Sequence, residues 1–260
     1  MDTSYLEKYY GKFCEEKRLS SRHGQVEFTT TIKYIHDYLK EYTNPKILEV
    51  GAGTGRYSCF LSNEGYDVTA IELIKNNLGI LKAKKTNVKA YLGNALDLSR
   101  FKDNSFEIVL LLGPMYHLFT LEDKVQALKE AKRVLKNNGK LIIAYCMNEY
   151  SIITYGFKEN HILECLKNNE ITNNFTTNSK EKNLYSYVRI EDINKLNDIV
   201  GLKRIKIIAQ DGPTDYIRPI LNQMDEETFK VYINYHLSTC ERLDLIGASS
   251  HTLDILEKGE

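Results

Sequence analysis

The sequence has no excess of charge of either sign, because its 35 Lys and Arg residues balance 35 Asp and Glu residues. Proteins that bind nucleic acids or anionic membranes through bulk charge usually carry a basic excess, so the balance argues against both kinds of partner. The sequence also lacks the roughly 18–20 consecutive apolar residues of a membrane-spanning helix, and it opens without a signal-peptide-like apolar run. We therefore expect a cytoplasmic protein with no membrane partner.

Cysteine patterns typical of metal or redox chemistry are absent too. The five cysteines are far apart in the chain, at positions 14, 59, 146, 165 and 240. Zinc sites, iron–sulfur clusters and dithiol motifs need closely spaced cysteines, and no pair here has such spacing. We therefore expect buried, reduced thiols and no metal site.

Short apolar runs alternate with amphipathic stretches through the middle of the chain. The runs predict strands at residues 46–50, 67–71, 88–92, 106–112 and 140–145. The stretches between them predict helices at residues 55–64, 75–84 and 121–135, the last one closed by Asn138-Gly139. This alternation, with nearly continuous apolar strands, is typical of α/β proteins in which helices cover both faces of a parallel sheet.

The flanking segments predict additions to this core. Residues 1–43 have helical periodicity and predict an N-terminal helical arm that ends at Asn44-Pro45. Residues 44–260 predict one domain, interrupted by insertions at about 147–183 and 211–247, the second helical over 224–245. The insertions follow the carboxyl ends of strands, where open α/β sheets bind ligands. We expect them to form lids that exclude water from a small-molecule site.

The strongest local signal is a glycine loop between a strand and a helix. Gly51 and Gly53 of LEVGAGTGR (48–56) let the backbone turn tightly beside a ligand, and Gly55 lets the helix begin close to the strand. The next strand ends at Glu72, about 20 residues later, where an acid can accept hydrogen bonds from both hydroxyls of a ribose. The pattern predicts a site for an adenosine-type ligand.

The residues around the loop distinguish between adenosine ligands. A dinucleotide fingerprint needs a third glycine at position 56, which is Arg56, and no lysine follows the loop as in a triphosphate-binding P-loop. Glu49 is a poor neighbour for a pyrophosphate but suits a ligand with an ammonium group. S-adenosylmethionine has such a group, and a nicotinamide-dependent oxidoreductase remains an alternative.

With these motifs the chain resembles class I S-adenosylmethionine-dependent methyltransferases, in particular the small-molecule branch that includes the ubiquinone/menaquinone-biosynthesis type. The resemblance spans roughly residues 45–210, and 250–258 resembles the antiparallel last strand. Its segments are LEVGAGTGRYS (48–58), AIEL (70–73), GNALDLSRFKDNSFEIVLLLGPMYHL (93–118) and RVLKNNGKLIIAYC (133–146). It implies a Rossmann-like, doubly wound, mostly parallel seven-stranded sheet with an antiparallel last strand, and S-adenosyl-L-methionine as cofactor.

The family pattern also implies which residues bind the cofactor. Residues beside the methionine tail and the ribose would be Glu49, Gly51, Ala52, Gly53 and Gly55. Glu72 would hold the ribose hydroxyls. Leu73, Asn94 and Ala95 would border the adenine, although the family commonly has an acid at the position of Asn94. Leu112 and Gly113 would present backbone near the sulfonium.

Methyl transfer from a sulfonium needs a general base only if the acceptor atom arrives protonated. The candidate catalytic residues are His117 and Tyr116, which follow the fourth strand. The structural alternatives are a His117 that hydrogen-bonds backbone and a Tyr116 that forms a pocket wall. In the arm, Tyr10, Arg18 and Arg22 are candidates for contact with the cofactor.

The acceptor class follows from what the loop after the fourth strand lacks. Gly113-Pro114-Met115-Tyr116 has neither the leading polar residue nor the second proline common in enzymes that methylate nucleic-acid bases. Tryptophan is absent, and 13 of the 18 tyrosines lie outside residues 44–146. Tyrosine gives apolar area with a polar tip, so these outer segments are where we look for an aromatic acceptor pocket. We expect methyl transfer to an O, N or S atom of a small molecule. The alternatives are a tRNA or protein methyltransferase and a non-catalytic S-adenosylmethionine-binding protein.

Overall fold

A computed structural model describes residues 4–10, 21–180 and 183–259, and it contains one mostly parallel sheet. The strands are β1 (Lys46–Val50), β2 (Asp67–Glu72), β3 (Lys89–Leu92), β4 (Phe106–Leu111), β5 (Leu135–Met147), β6 (Tyr187–Val188), β7 (Leu202–Ala209) and β8 (His251–Lys258). Their order is β3-β2-β1-β4-β5-β8-β7, and β6 pairs with the end of β5. β8 is antiparallel to both β5 and β7. The Rossmann-like, doubly wound arrangement with an antiparallel last strand is confirmed, and β6 adds an eighth strand to the seven expected.

Helices connect the strands and cover the sheet. They are α1 (Ser4–Tyr10), α2 (Arg22–Leu39), α3 (Arg56–Asn63), α4 (Lys75–Ala83), α5 (Leu121–Val134), α6 (Asn148–Ser151), α7 (Ile162–Lys167), α8 (Ile190–Val200), α9 (Arg218–Gln223), α10 (Glu226–Thr239) and α11 (Leu243–Ile246). A π-helical turn spans Ile152–Lys158, and 3₁₀ turns span Pro114–His117 and Gly212–Asp215. None of the helices in the described part of the chain is long and apolar enough to cross a membrane.

β4 shows why both faces of the sheet are covered. Val109 and Leu111 belong to a core cluster that includes residues of α5 and α8, whereas Ile108 and Leu110 belong to a cluster that includes residues of α2 and α3. Side chains alternate between the two faces along a strand, so this continuously apolar strand needs helices on each side. Because β1 to β4 are parallel, their carboxyl ends lie at one edge of the sheet.

Two sequence-based boundaries were wrong. The segment 224–245 is two helices, α10 and α11, rather than one. Asn138-Gly139 does not close α5, which ends at Val134; both residues lie inside β5. The polar start of β5 pairs with β4 beside a register shift between Phe106 and Ile108.

Gly139 allows that close strand pairing. A Cβ at this position would lie 2.8 Å from the Glu107 carbonyl oxygen and 2.7 Å from Leu135 Cδ1. Glycine therefore serves here as the residue without a side chain, and not as a helix terminator.

Replacement of Gly139 by alanine should destabilise the fold by about 1–3 kcal/mol, because the added methyl overlaps backbone. Gly79 offers a matched control: it lies in α4, is exposed, and has open space around its Cα. There Gly79→Ala should stabilise by about 0.5–1 kcal/mol through helix propensity. Urea unfolding measures both, and effects of the same sign would contradict this account of Gly139.

Candidate functional site

The loop after β1 is held in a left-handed backbone conformation by its glycines. Gly51, Gly53 and Gly55 have φ values of 75°, 56° and 80°. The Gly51 and Ala52 N–H groups donate to the Ile71 carbonyl at 2.8 and 3.0 Å, which joins the loop to the end of β2. A Cβ on Gly51 would lie 2.7 Å from the ring of Pro114, so the loop also touches the turn after β4.

Gly55 has a packing role at the start of α3. A Cβ there would lie 2.6 Å from Leu81 Cγ, which belongs to α4. Gly55 does not line the cavity described below, so the structure places it behind the loop, where it sets the distance between α3 and α4.

Glu72 ends β2 with its carboxylate fixed by two backbone groups. Gly53 N donates to Glu72 Oε2 at 2.7 Å, and Ile74 N donates to Glu72 Oε1 at 2.8 Å. The side chain is buried but lines the cavity. A carboxylate oxygen can accept more than one hydrogen bond, so these two backbone bonds do not in themselves prevent Glu72 from accepting from hydroxyls of a ligand.

Glu49 is a second buried acid at the end of β1. Its Oε2 accepts hydrogen bonds from Ser58 N, at 2.9 Å, and from the Ser58 hydroxyl. Burial raises the pKa of Glu49 to about 7, and the nearby charge of Glu72 acts in the same direction, whereas the Ser58 hydrogen bonds oppose the rise. A cation bound in the cavity would favour the ionised form of Glu49.

His117 is neutral, and its tautomer follows from its two partners. Nδ1 lies 2.9 Å from the Leu184 carbonyl oxygen, which can only accept, so Nδ1 carries the proton. Nε2 therefore accepts from the Tyr10 hydroxyl, 2.9 Å away. Burial lowers the pKa of His117 to about 4, so the ring keeps only its Nδ1 proton and stays neutral at neutral pH.

Tyr116 presents its ring to the cavity and commits its hydroxyl to backbone. The hydroxyl donates to the Leu112 carbonyl oxygen at 3.0 Å. The ring packs edge-on against His117 and Tyr185, with centroids 4.9 and 5.8 Å away. Tyr116 thus forms a wall of the cavity.

These residues surround one cavity at the carboxyl ends of β1, β2 and β4, with an empty volume of about 990 Å³ that includes its open mouth. The sequence-predicted residues that line it are Glu49, Gly51, Ala52, Gly53, Glu72, Leu73, Asn94, Ala95, Leu112, Gly113, Tyr116 and His117. Asn94 Oδ1 accepts from Leu96 N at 3.0 Å, which fixes the turn beside the cavity.

Residues that the sequence did not single out complete the lining. Leu6 comes from α1, whereas Asn77 is a buried polar residue of α4. Asn77 is a polar residue near the start of α4, and a sequence analysis could have tested it as a ligand contact. Nothing in the sequence around Leu6 marks it in that way. Arg56 also lines the cavity, and its guanidinium lies 4.8 Å from the centroid of the Phe28 ring.

The three arm candidates have different positions. Tyr10 lines the cavity, whereas Arg22 pairs with Glu226 and lies over Phe229, away from it. Arg18 lies outside the described residues. Among the described residues, the cover of the cavity comes from α1 and from the turn Pro114–His117, and none of residues 147–180, 183 or 211–247 lines it.

Comparisons with known proteins bear on this site. Residues 48–143 match the family model described as a methyltransferase domain. An uncharacterized methyltransferase of Schizosaccharomyces pombe is 31% identical over 121 residues, which cover 46% of this chain and 46% of the relative. A demethylmenaquinone methyltransferase of Renibacterium salmoninarum is 33% identical over 111 residues, 43% of this chain and 44% of the relative. The chain spans about half the length of the curated relatives it matches.

A solved structure extends the likeness of fold to the whole chain. A methyltransferase from Thermotoga maritima, described as S-adenosylmethionine-dependent and a possible histamine N-methyltransferase, superposes with a TM-score of 0.61 at 18% identity. The match covers 99% of this chain and 100% of that one. The expected resemblance in sequence and in fold is confirmed.

The pKa of Glu49 predicts how stability depends on pH. A folded-state pKa of about 7 against an ordinary value of 4.5 means that the folded protein holds a proton that the unfolded chain releases. This contribution is complete below pH 4.5 and is lost as the pH rises to about 7, with a total of about 3 kcal/mol. Unfolding free energies of the wild type and Glu49→Gln should therefore diverge over this range, to the disadvantage of the wild type at pH 7. A constant difference would contradict the assignment.

Proposed function

We propose that this chain, whose residues 48–143 match the methyltransferase domain model, is a class I S-adenosylmethionine-dependent methyltransferase that moves a methyl group to an O, N or S atom of a small molecule. The observation that carries the proposal is the pair of buried carboxylates in one cavity. Glu72 has its oxygens fixed by Gly53 and Ile74, and Glu49 lies at the end of the neighbouring strand.

The two acids fit the two polar ends of the proposed cofactor. Glu72 would accept from the ribose hydroxyls, and Glu49, whose ionisation is held back by burial, would face the ammonium of the methionine tail. Leu73, Asn94 and Ala95 would border the adenine, with Leu112 and Gly113 beside the sulfonium. When bound, S-adenosylmethionine supplies an activated methyl group, so the protein's task is to orient it and to exclude water.

A small-molecule acceptor is favoured by how the cavity is covered. α1 contributes Leu6 and Tyr10 to the lining, and the Tyr9 hydroxyl lies 3.3 Å from that of Tyr185. The segment 184–186 holds the turn after β4 through Leu184 O and Ser186 N, the latter 2.7 Å from the Tyr116 carbonyl oxygen. Cover by α1 and by the turn Pro114–His117, which this segment holds, favours a small acceptor over a macromolecule. The expectation that residues 147–183 and 211–247 form lids over the site stays a prediction, because none of their described residues lines this cavity.

His117 is the proposed catalytic residue, with Tyr116 as the wall that orients the acceptor. The unprotonated Nε2 of His117 accepts a hydrogen bond from the Tyr10 hydroxyl in this structure. A hydroxyl or amine of the acceptor would replace Tyr10 as the donor to Nε2. A pKa of about 4 makes His117 a weak base, so it suits an acceptor whose proton becomes acidic only as the methyl transfers.

A cytoplasmic location accords with the cysteines. Cys59, Cys146, Cys165 and Cys240 are buried free thiols, as expected in a reducing compartment. The alternatives to the proposed function remain a tRNA or protein methyltransferase and a non-catalytic S-adenosylmethionine-binding protein.

Incubation with methyl-labelled S-adenosylmethionine and fractionated cell extract tests the proposal. Label should enter a small molecule other than the cofactor, and it should not enter RNA or protein. Label in either macromolecular fraction would favour the first alternative. Binding of S-adenosylhomocysteine without transfer to any fraction would favour the second, and absence of binding would contradict all three.

His117→Asn should lower the rate of transfer in that assay by about 10²-fold or more, the usual size of an acid–base contribution. Affinity for S-adenosylhomocysteine should stay within about twofold, because His117 would face the acceptor. Tyr10→Phe is the companion variant, since it removes the partner of Nε2 but keeps the ring. Transfer by His117→Asn at the wild-type rate would leave His117 a structural residue.

A further inference from the structure

A second cavity lies on the other side of the segment 184–188, between α5, α8 and residues 148–177. Its empty volume is about 930 Å³, including open solvent at its mouth. The charged side chains that line it are Lys124, Arg189, Lys195 and Asp192, so three cationic groups accompany one acid. Nothing in the proposed methyl transfer uses this cavity.

Lys124 is the unusual member of this lining. It is 8% exposed, and its ammonium donates to the hydroxyl of Ser186 at 2.8 Å. Within the described ranges, no carboxylate oxygen lies within 4.0 Å of Lys124 Nζ; Asp192 acts on it only at longer range. Burial lowers the pKa of Lys124 to about 8, as expected for a desolvated ammonium without a paired charge. A buried ammonium has three donors, and one neutral hydroxyl is a poor counterpart for them.

The other charged groups of the cavity are already engaged or lie at its rim. Arg189 Nε donates to Glu149 Oε1 at 2.7 Å, and Asp192 Oδ2 accepts from the backbone N–H of Arg189 at 2.9 Å. Lys195 is exposed. Among the described residues, neither Lys124, which lines the cavity, nor Lys195, at its edge, has a carboxylate as an ion-pair partner.

A second observation concerns Thr177, which also lines this cavity. The Thr177 hydroxyl is buried and has no hydrogen-bond partner among the described residues, although a buried polar atom without one is costly. Thr177 N donates to Asn148 Oδ1 at 2.8 Å, so the residue is held in place. A buried ammonium and a free hydroxyl donor in one cavity are the donors that an oxyanion accepts from.

We propose that this cavity binds an oxyanion, the phosphate or carboxylate group of a small metabolite, on Lys124 and Thr177 with Lys195 at the rim. The cavity lies beside the segment that contacts Tyr116 and His117. Lys124 holds Ser186, whose N–H donates to Tyr116 O, and two residues earlier Leu184 O accepts from His117. Occupancy of the site therefore acts on the segment that positions the candidate catalytic histidine.

Titration of the full chain with inorganic phosphate, followed by calorimetry at constant ionic strength and pH 7, tests the site directly. Succinate in a parallel titration distinguishes a phosphate from a carboxylate site. Saturating S-adenosylhomocysteine in both keeps phosphate out of the first cavity. We expect saturable binding of at least one of the two anions, and absence of binding by both would overturn the proposal.

Lys124→Met keeps the apolar stem of the side chain and should weaken anion binding by about tenfold or more. Lys129→Met is the matched control, since Lys129 is exposed on the same helix and outside the cavity. Equal weakening by both variants would mean that the anion responds to the net charge of the protein and not to a site at Lys124, which would overturn the proposal. If Lys124→Met does not fold, Thr177→Val should still weaken binding several-fold, and unchanged affinity in that variant would overturn the assignment.

The effect on His117 rests on the proposed function and has its own readout. The bound anion should change the rate of methyl transfer by the wild type and leave that of Lys124→Met unchanged. Anion binding without a change in rate would remove the coupling but keep the site, and the binding experiment is independent of whether the chain transfers methyl groups.

Discussion

The geometry of the site depends on the carboxylate of Glu72 between two backbone N–H groups. One of these belongs to Gly53 and the other to Ile74, so the interaction joins the loop after β1 to the end of β2. It requires the left-handed conformation of Gly53, with φ of 56°, which a residue with a side chain adopts only with strain. A single carboxylate therefore shapes the loop and also lines the cavity.

The same cavity holds a second acid, Glu49, whose pKa is raised by burial and, to a lesser extent, by the nearby charge of Glu72. Hydrogen bonds from Ser58 to Glu49 oppose this rise. A cation bound beside Glu49 would favour its ionised form. The ammonium of the proposed cofactor would account for Glu49, an acid that is a poor neighbour for a pyrophosphate.

The parts of the fold that the sequence predicted are those encoded locally. The strand, glycine loop and acid of residues 46–72 lie within one βαβ unit, so spacing along the chain reports their geometry. The start of β5 was missed because Asn137 and Asn138 are exposed and polar, and because the strand is defined there by pairing of Leu135 and Lys140 with the distant β4. The Tyr10–His117 and Lys124–Ser186 contacts join residues 107 and 62 positions apart, and no local pattern marks them.

The central claim is that Glu72 is the anchor of an S-adenosyl ligand, and calorimetric titration with S-adenosylhomocysteine tests it most directly. The wild type should bind, and Glu72→Ala should lose at least about tenfold in affinity, because the cavity then lacks the acceptor for the ribose hydroxyls. Urea unfolding of the same variant shows whether the fold survives the substitution. Equal affinity of the wild type and a folded Glu72→Ala, or no binding by the wild type, would contradict the account.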